Sequence, residues 1–304
     1  MNISRSIVSV LGSQALTSVL SVLSFTVFAR VLSGHEFGIF VLFLGVSHFL
    51  SALIDAGFDG AVEKRVSENE DSILATALIF KLVLLTALSL GILHLQSSIN
   101  GYLGEPYALL LIPSLAAQQI GRVLLRTLHG ELQVGFASSL HVIRYFVLLG
   151  SGLALKIYGL DALAPILGYL LSWFIVSLIS SLALSTSIGA PSIQAFWSLF
   201  SFAKYNFVPS VLSQRANSWV DILVIGLFLS QTHVAAYEVA WRLSMVAMLV
   251  SRSISNTIFP QISLWSENSD RRSIENLLPI ALSGSIVLVF PAIVGTTLLR
   301  TELL

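Results

Sequence analysis

The sequence contains no cysteine and few charged residues. Only 11% of its 304 residues are charged, and 16 basic and 16 acidic side chains leave a formal net charge of zero. Without cysteine, disulfide bonds, thiolate catalysis and cysteine-ligated metal sites are excluded. Without an excess of basic residues there is no overall positive field to attract nucleic acid, so we also exclude nucleic acid as a partner.

Common enzyme motifs are missing as well. The sequence has no GxxxxGK[ST] phosphate loop, no HExxH metal motif and no GxSxG nucleophile turn. A membrane glycan polymerase or ligase would need a sizeable outer loop, but the longest outer connection, about 96–105, has Glu105 as its single acid and no histidine. We therefore predict that the chain is not an enzyme and uses neither a cofactor nor a catalytic metal.

Hydrophobic residues make up 55% of the chain, and the mean hydropathy is +0.88. This leaves too little polar surface to coat a soluble globule, so we predict an all-α, multi-pass membrane protein. About 20 helical residues are needed to cross the hydrocarbon core. Nine apolar runs approach or exceed that length, at roughly 7–29, 38–59, 73–95, 106–126, 137–156, 161–184, 207–229, 236–259 and 277–299.

The distribution of lysine and arginine predicts a cytoplasmic N-terminus in the cell inner membrane. In that orientation three basic residues fall on the outer side, Arg30, Lys156 and Arg300. Nine fall on the cytoplasmic side, namely Arg5, Lys64, Arg65, Arg122, Arg126, Arg144, Lys204, Arg271 and Arg272.

A weak internal repeat predicts two parallel helix bundles. The stretch 25–65 returns in degraded form from Asp221, and pairing Leu32 with Leu229 gives an offset of 197 residues. We expect a first six-helix bundle at 1–184, a cytoplasmic interfacial linker helix at 185–206 and a second bundle at 207–304. Because twice the offset exceeds 304 residues, we expect the second bundle to hold about three spans and the chain to be truncated.

Polar side chains recur at helical spacing in spans 1 and 7, and the offset places the two stripes on equivalent faces. This register favours a shared hydrated cleft, although ordinary serine and threonine packing between helices is the alternative. The span 1 stripe comprises Gln14, Thr17, Ser18, Ser21 and Ser24. The span 7 stripe comprises Ser210, Ser213, Gln214, Asn217, Ser218 and Asp221.

Ionisable side chains inside the spans mark a functional interior, since they are costly in lipid and usually face protein or water. Those that predict a cavity for an anionic head group such as a pyrophosphate are Arg252, Arg242, Arg215 and Lys81. Those that predict ion coupling or charge pairing are Asp55, His48, Asp221 and Glu238. His48, Ser51, Asp55 and Asp59 share one face of the predicted second span.

Simpler interpretations stay open for several of these residues. Lys81 and Arg215 could extend to the nearby interface. Glu238 and Arg242, at i and i+4, could neutralise each other. His48 could be a neutral histidine bonded to a neighbouring helix.

The string ARVLSGHEFGIFVLF, followed by EKRVSE, resembles the opening of the polysaccharide-biosynthesis transporters. These form the O-antigen flippase branch of the multidrug/oligosaccharidyl-lipid/polysaccharide export superfamily. The later string WVDILVIGLFLSQTHVAAYEVAWRL is similar to the start of that family's second bundle. The resemblance implies twelve or more spans in a complete member and alternating access between two bundles.

Under this resemblance the chain is a flippase for a polyprenyl-pyrophosphate-linked oligosaccharide in O-antigen, lipopolysaccharide or exopolysaccharide synthesis. Its partners would be the lipid-linked glycan, the bilayer, H⁺ or Na⁺, and a glycan polymerase with other assembly proteins. Two alternatives remain. One is a cation-coupled multidrug exporter with Asp55 and Asp221 as coupling carboxylates, and the other is a non-transporting remnant that acts as a scaffold.

Overall fold

The computed structural model describes residues 3–68, 72–211 and 214–245, together with the isolated residues 262, 277, 279, 283 and 290; side chains at 3–9, 11 and 207–218 are not described. Within these ranges the regular structure is entirely helical, as predicted. The helices are α1 (Ile3–Val31), α2 (Gly34–Asp55), α3 (Phe58–Ser67), α4 (Ile73–His94), α5 (Gln96–Leu103), α6 (Leu111–Gly130), α7 (Val134–Ile157), α8 (Leu163–Ala183), α9 (Ile193–Val211) and α10 (Gln214–Phe228). A short 3₁₀ turn, Ala108–Leu110, precedes α6, and residues 231–245 are also helical.

Six helices are long and apolar enough to cross a membrane, which confirms the predicted multi-pass class. They lie at Gly12–Val31, Gly34–Asp55, Ile73–His94, Ala108–Gly130, Val134–Ile157 and Leu163–Ala183. They correspond to the first six predicted runs. The seventh run contains a shorter apolar helix, Trp219–Phe228. Most of the eighth run and nearly all of the ninth lie outside the described residues.

The predicted second span, 38–59, is interrupted in the structure. A capping box begins α2, because the Ser33 hydroxyl accepts from the Glu36 N–H and the Glu36 carboxylate accepts from the Ser33 N–H. The helix ends at Asp55, and both Ala56 (φ 46°) and Gly57 (φ 83°) adopt the left-handed conformation. Such residues terminate helices, so Asp59 lies in the first turn of a new helix instead of continuing the old one.

The charge count behind the predicted orientation also changes. Arg122 and Arg126 lie on α6 and Arg144 lies on α7, inside candidate spans and not in cytoplasmic loops. Arg30 and Lys156, counted on the outer side, likewise lie within the candidate spans Gly12–Val31 and Val134–Ile157. The count therefore changes on both sides, and the cytoplasmic N-terminus stays a prediction.

Residues 185–192 and α9 connect the sixth span to α10. The carboxylate of Glu131, just after α6, accepts the N–H groups of Ser185 (3.0 Å) and Thr186 (2.6 Å). Phe196 packs near the rings of Phe58 and Phe80, while other aromatic side chains of α9 are exposed. An exposed aromatic face suits an interfacial helix.

The chain divides into two compact units, Met1–Ala235 and Ala236–Leu304. The first unit includes α10, which packs on α2, and the Tyr102 hydroxyl donates to the Leu223 carbonyl at 2.8 Å. The predicted division at 185–206, the parallel repeat and the incomplete second bundle stay predictions.

Helices α7 and α8 cross closely because glycine occupies their contact. A Cβ atom at Gly168 of α8 would lie 2.9 Å from the Leu148 carbonyl oxygen and 3.2 Å from the Gly152 Cα of α7. Small residues allow membrane helices to approach in this way, since packing rather than water exclusion drives their association.

We predict that Gly168→Ala destabilises the protein by roughly 1–3 kcal/mol, since the added methyl group must push α7 and α8 apart. Gly150→Ala on α7 is the matched control, because a Cβ atom there meets nothing within 4 Å. Thermal unfolding of the purified protein in detergent compares the two variants. Equal melting temperatures would contradict the close crossing.

Candidate functional site

Four ionisable side chains meet inside the first unit and form what we term the charge cluster: Asp55, Asp59, Lys81 and Arg122. The Lys81 Nζ lies 2.5 Å from Asp59 Oδ1 and 3.4 Å from Asp55 Oδ1. The Arg122 Nη2 lies 2.7 Å from Asp59 Oδ2 and 3.9 Å from Asp55 Oδ2. Two carboxylates and two cations therefore share one site.

The break between α2 and α3 places the two carboxylates together. Asp55 is the last residue of α2, and its Oδ1 accepts the Asp59 N–H at 3.0 Å in the first turn of α3. A carboxylate at the start of a helix satisfies an N–H group that has no intrahelical partner and interacts favourably with the helix dipole. Asp55 thus helps to orient the helix that carries Asp59.

The two cations come from α4 and α6, inside the candidate spans Ile73–His94 and Ala108–Gly130. Lys81 lies eight residues after the start of α4, and Arg122 lies eight residues before the end of α6. Eight helical residues span roughly 12 Å, so Lys81 and Arg122 lie at a similar distance from the ends of their helices. Lys81 is only 3% exposed, whereas the Arg122 side chain is 27% exposed and gives the cluster an open edge.

Polar neighbours complete the hydrogen bonding of the cluster. Gln119 accepts from Lys81 at 3.1 Å and donates to the Ser51 hydroxyl at 2.8 Å, and Arg122 donates to the same hydroxyl at 2.9 Å. Buried charges are tolerated when they are paired and hydrogen-bonded in this way. The network joins α2, α3, α4 and α6.

Asp59 is the more tightly held carboxylate. Both cations make their shortest contacts with it, Lys81 at 2.5 Å and Arg122 at 2.7 Å. Asp55 has only the longer contacts to both cations. A proton or small cation would therefore disturb the cluster least at Asp55.

The structure gives Lys81 a different role from a free anion-binding group. Our sequence analysis predicted that Lys81 lines a cavity for an anionic head group, whereas two carboxylates compensate its charge. It does not extend to the interface either, since it is buried. The predicted cavity therefore cannot rest on an uncompensated charge at Lys81.

Glu238 and Arg242, in the second unit, form the ion pair that their spacing allowed. The Arg242 Nε lies 2.6 Å from Glu238 Oε1, and Glu238 is buried. The cation predicted to line a substrate cavity thus has a counter-ion one helical turn away. Any anionic ligand at Arg242 would compete with this carboxylate.

His48 lies between α8 and α10. Its Nδ1 is 2.8 Å from the Leu44 carbonyl of its own helix, so it donates to that oxygen. Its ring stacks on Trp219 of α10 at a centroid distance of 4.5 Å, and the ring of Tyr169 of α8 lies 6.1 Å away. A change in the packing of α2 against α8 or α10 would therefore alter the contacts of His48.

The structure describes few contacts for the remaining predicted residues. Asp221 is exposed on α10. The Arg215 side chain and the whole of Arg252 lie outside the described residues. In the span 1 stripe, the Ser18 and Ser24 hydroxyls donate to the carbonyls of Gln14 and Leu20. These bonds within α1 favour the packing alternative for both serines.

Three arginines that our sequence analysis assigned to the cytoplasmic side, Arg122, Arg126 and Arg144, lie within the membrane helices. Arg122 belongs to the charge cluster. Arg144 lies near the middle of α7, over the rings of Tyr145 and Trp173, with centroid distances of 4.3 and 4.9 Å. The sequence already indicated two of these positions, because Arg122 lies inside the apolar run 106–126 and Arg144 inside the run 137–156. No group of three or more His, Asp or Glu side chains able to hold a metal ion occurs in the described ranges.

The fold is similar to that of known multi-pass transporters. A multidrug resistance MATE family transporter of the MOP superfamily, in its inward-facing conformation, matches with a TM-score of 0.57 and 16% identity, over 97% of this chain and 74% of its own. A MATE in complex with MaD5 matches with a TM-score of 0.51 and 17% identity, over 98% and 73%. At these identities the likeness shows the fold alone.

Two proteins of Haloferax volcanii are similar in sequence. The probable low-salt glycan biosynthesis flippase Agl15 is 36% identical over 100% of this chain, which covers 65% of Agl15. The probable flippase AglR is 28% identical over 88% of this chain, which covers 57% of AglR. The chain thus spans less than two thirds of either relative.

The fold and the charged membrane interior define a multi-pass membrane protein. Residues 27–304 match the family model described as polysaccharide biosynthesis protein, and the chain belongs to this family. The superfamily resemblance stated from the sequence is confirmed.

We predict that Lys81→Met destabilises the protein by roughly 3–5 kcal/mol, because it leaves two buried carboxylates with one cation. Lys64→Met is the matched control, since Lys64 pairs with Glu68 at 3.8 Å on the surface and both side chains are more than 40% exposed. That substitution should cost at most about 1 kcal/mol. Chemical unfolding in detergent measures both, and equal losses would show that the charge cluster does not hold the helices together.

Proposed function

We propose that this chain is a membrane flippase that moves a polyprenyl-pyrophosphate-linked oligosaccharide from the inner to the outer leaflet by alternating access. The observation that carries the proposal is the 36% identity to Agl15, a probable glycan biosynthesis flippase, along the whole chain. The family match over residues 27–304 supports the same cargo class. The chain would act in O-antigen or another surface glycan pathway, beside a glycan polymerase and other assembly proteins.

A polar interior is what such a task needs. An oligosaccharide with a pyrophosphate cannot enter hydrocarbon without losing its hydration, so its path must supply polar groups and water. Ionisable residues in membrane helices commonly mark such a path. The charge cluster, with the partly exposed edge of Arg122, supports a polar region within the first unit.

The structure changes which cations could bind an anionic cargo. Lys81 and Arg242 both have carboxylate partners, so neither offers an uncompensated charge. Arg215 and Arg252 stay proposed cavity residues on sequence grounds. Arg144 adds a cation that the sequence analysis did not use.

Coupling to H⁺ or Na⁺ is proposed at Asp55, with His48, Asp221 and Glu238 as further candidates. Asp55 makes only the longer cation contacts of the charge cluster, 3.4 and 3.9 Å. A proton at Asp55 would leave the two short contacts of Asp59 in place. At Glu238, by contrast, an incoming cation would have to displace Arg242 at 2.6 Å.

A cation-coupled multidrug exporter, with Asp55 and Asp221 as coupling carboxylates, is the second candidate. A partner or scaffold role without transport is the third. The three candidates differ in the cargo that crosses the membrane, so one transport assay separates them.

We predict that liposomes containing the purified chain transfer a fluorescent polyprenyl-pyrophosphate oligosaccharide between leaflets faster than protein-free liposomes do. Access of an external glycosidase to the glycan measures the transfer. A cationic dye, tested in parallel, should show no protein-dependent movement. Dye movement without glycan transfer would favour the exporter, and movement of neither cargo would contradict transport by this chain.

The same liposomes test the coupling proposal. Asp55→Asn should remove the response of glycan transfer to an imposed proton or sodium gradient while slow transfer persists. Asp161→Asn is the control, because the Asp161 side chain is 61% exposed and pairs with Lys156 at 2.6 Å, not with a residue of the charge cluster. An unchanged gradient response in Asp55→Asn would remove Asp55 from coupling.

A further inference from the structure

Arg144 occupies an unusual position for a cation. It lies ten residues after the start of α7 and thirteen before its end. At 1.5 Å per residue this is roughly 15 Å from one end and 20 Å from the other, near the middle of a membrane span. A cation at that depth is costly unless it faces protein, water or a counter-ion.

The surroundings of Arg144 supply aromatic rings but no carboxylate. Its guanidinium lies over the rings of Tyr145 and Trp173. Among the described residues no Asp or Glu forms an ion pair with it, and its buried Nε has no hydrogen-bond partner. Arg122 at a similar depth meets two carboxylates, so Arg144 is left with a charge that only ring faces offset.

Two further donors beside Arg144 are incompletely satisfied. Tyr169 and Trp173 lie one turn apart on α8 and are 2% and 6% exposed. The Tyr169 hydroxyl has Ser47 and the Trp173 indole as polar neighbours, but neither contact reaches full hydrogen-bond geometry among the described residues. Buried polar groups are nearly always satisfied, so unsatisfied donors beside a lone cation indicate a missing acceptor.

We propose that Arg144, Tyr169 and Trp173 form a binding site for an anionic oxygen group inside the first unit. The guanidinium supplies charge and planar donors, and the indole N–H and the phenol supply hydrogen bonds from α8. The acceptor is the phosphate of the lipid carrier or the carboxylate of an acidic sugar. Assigning the site to a glycolipid rests on the proposed function, whereas anion binding itself does not.

The site differs from the charge cluster in what it can bind. Lys81 and Arg122 face carboxylates of the chain itself, so an incoming anion would meet repulsion there. At Arg144 no such carboxylate competes among the described residues. The two groups would thus divide their tasks, one fixing the helices and the other holding cargo.

The test is equilibrium binding to the purified full chain in detergent. The two probes are a short-chain polyprenyl phosphate and glucuronate. Arg144→Gln should weaken binding of the responsible probe about tenfold or more, because a charge-assisted contact is lost. Trp173→Phe, which keeps the ring and removes the N–H, should weaken it about threefold. Arg144→Lys should bind with intermediate affinity.

Arg30→Gln serves as the matched control, since Arg30 is exposed at the end of α1. Its affinity should equal that of the wild type. Dependence on Arg144 with the phosphate probe assigns the site to the carrier, and dependence with glucuronate assigns it to the sugar. A folded Arg144→Gln protein that binds both probes as the wild type does would overturn the proposal.

Binding and transport fail separately in this design. If Arg144→Gln loses glycan transfer but keeps wild-type affinity for both probes, the site is wrong and the flippase stands. If the wild type binds a probe through Arg144 but moves no glycan in liposomes, the site stands and the proposed function fails.

Discussion

The first unit depends on one electrostatic constraint, the enclosure of two carboxylates and two cations between four helices. Asp59 accepts from Lys81 at 2.5 Å and from Arg122 at 2.7 Å. The network draws on four helices: Asp55 and Ser51 come from α2, Asp59 from α3, Lys81 from α4, and Gln119 and Arg122 from α6. Moving any one of these helices would separate buried charges. Such pairs need not add net stability, but breaking one is expensive, so they fix a single arrangement.

The backbone makes that arrangement possible. The left-handed residues Ala56 and Gly57 end α2 and turn the chain. Asp59 then lies in the first turn of α3, where its N–H donates to the Asp55 carboxylate. Elsewhere the helices are held by close packing, as at the glycine contact between α7 and α8. The first unit thus combines the charge cluster around α6 with the glycine contact between α7 and α8. These two helices also carry Arg144 and Trp173, which lie next to each other.

Hydropathy was sufficient to predict the class and the first six spans, because length and apolar content alone decide whether a helix can cross a membrane. The spacing of Asp55 and Asp59 predicted one shared face of a continuous helix, whereas in the structure a helix break joins them. The partners of Lys81 were not predictable, since they come from helices distant in sequence. Arg122 and Arg144 were missed because each was counted with the cytoplasmic side, although its apolar run already contained it.

The central claim is that Lys81 and Asp59 are an obligate pair within the membrane helices. A double-mutant cycle with Lys81→Met, Asp59→Asn and their combination, measured by chemical unfolding in detergent, tests it most directly. The account predicts a coupling free energy of at least about 2 kcal/mol, with the double variant more stable than the sum of the single losses implies. Additive losses within about 0.5 kcal/mol would contradict it.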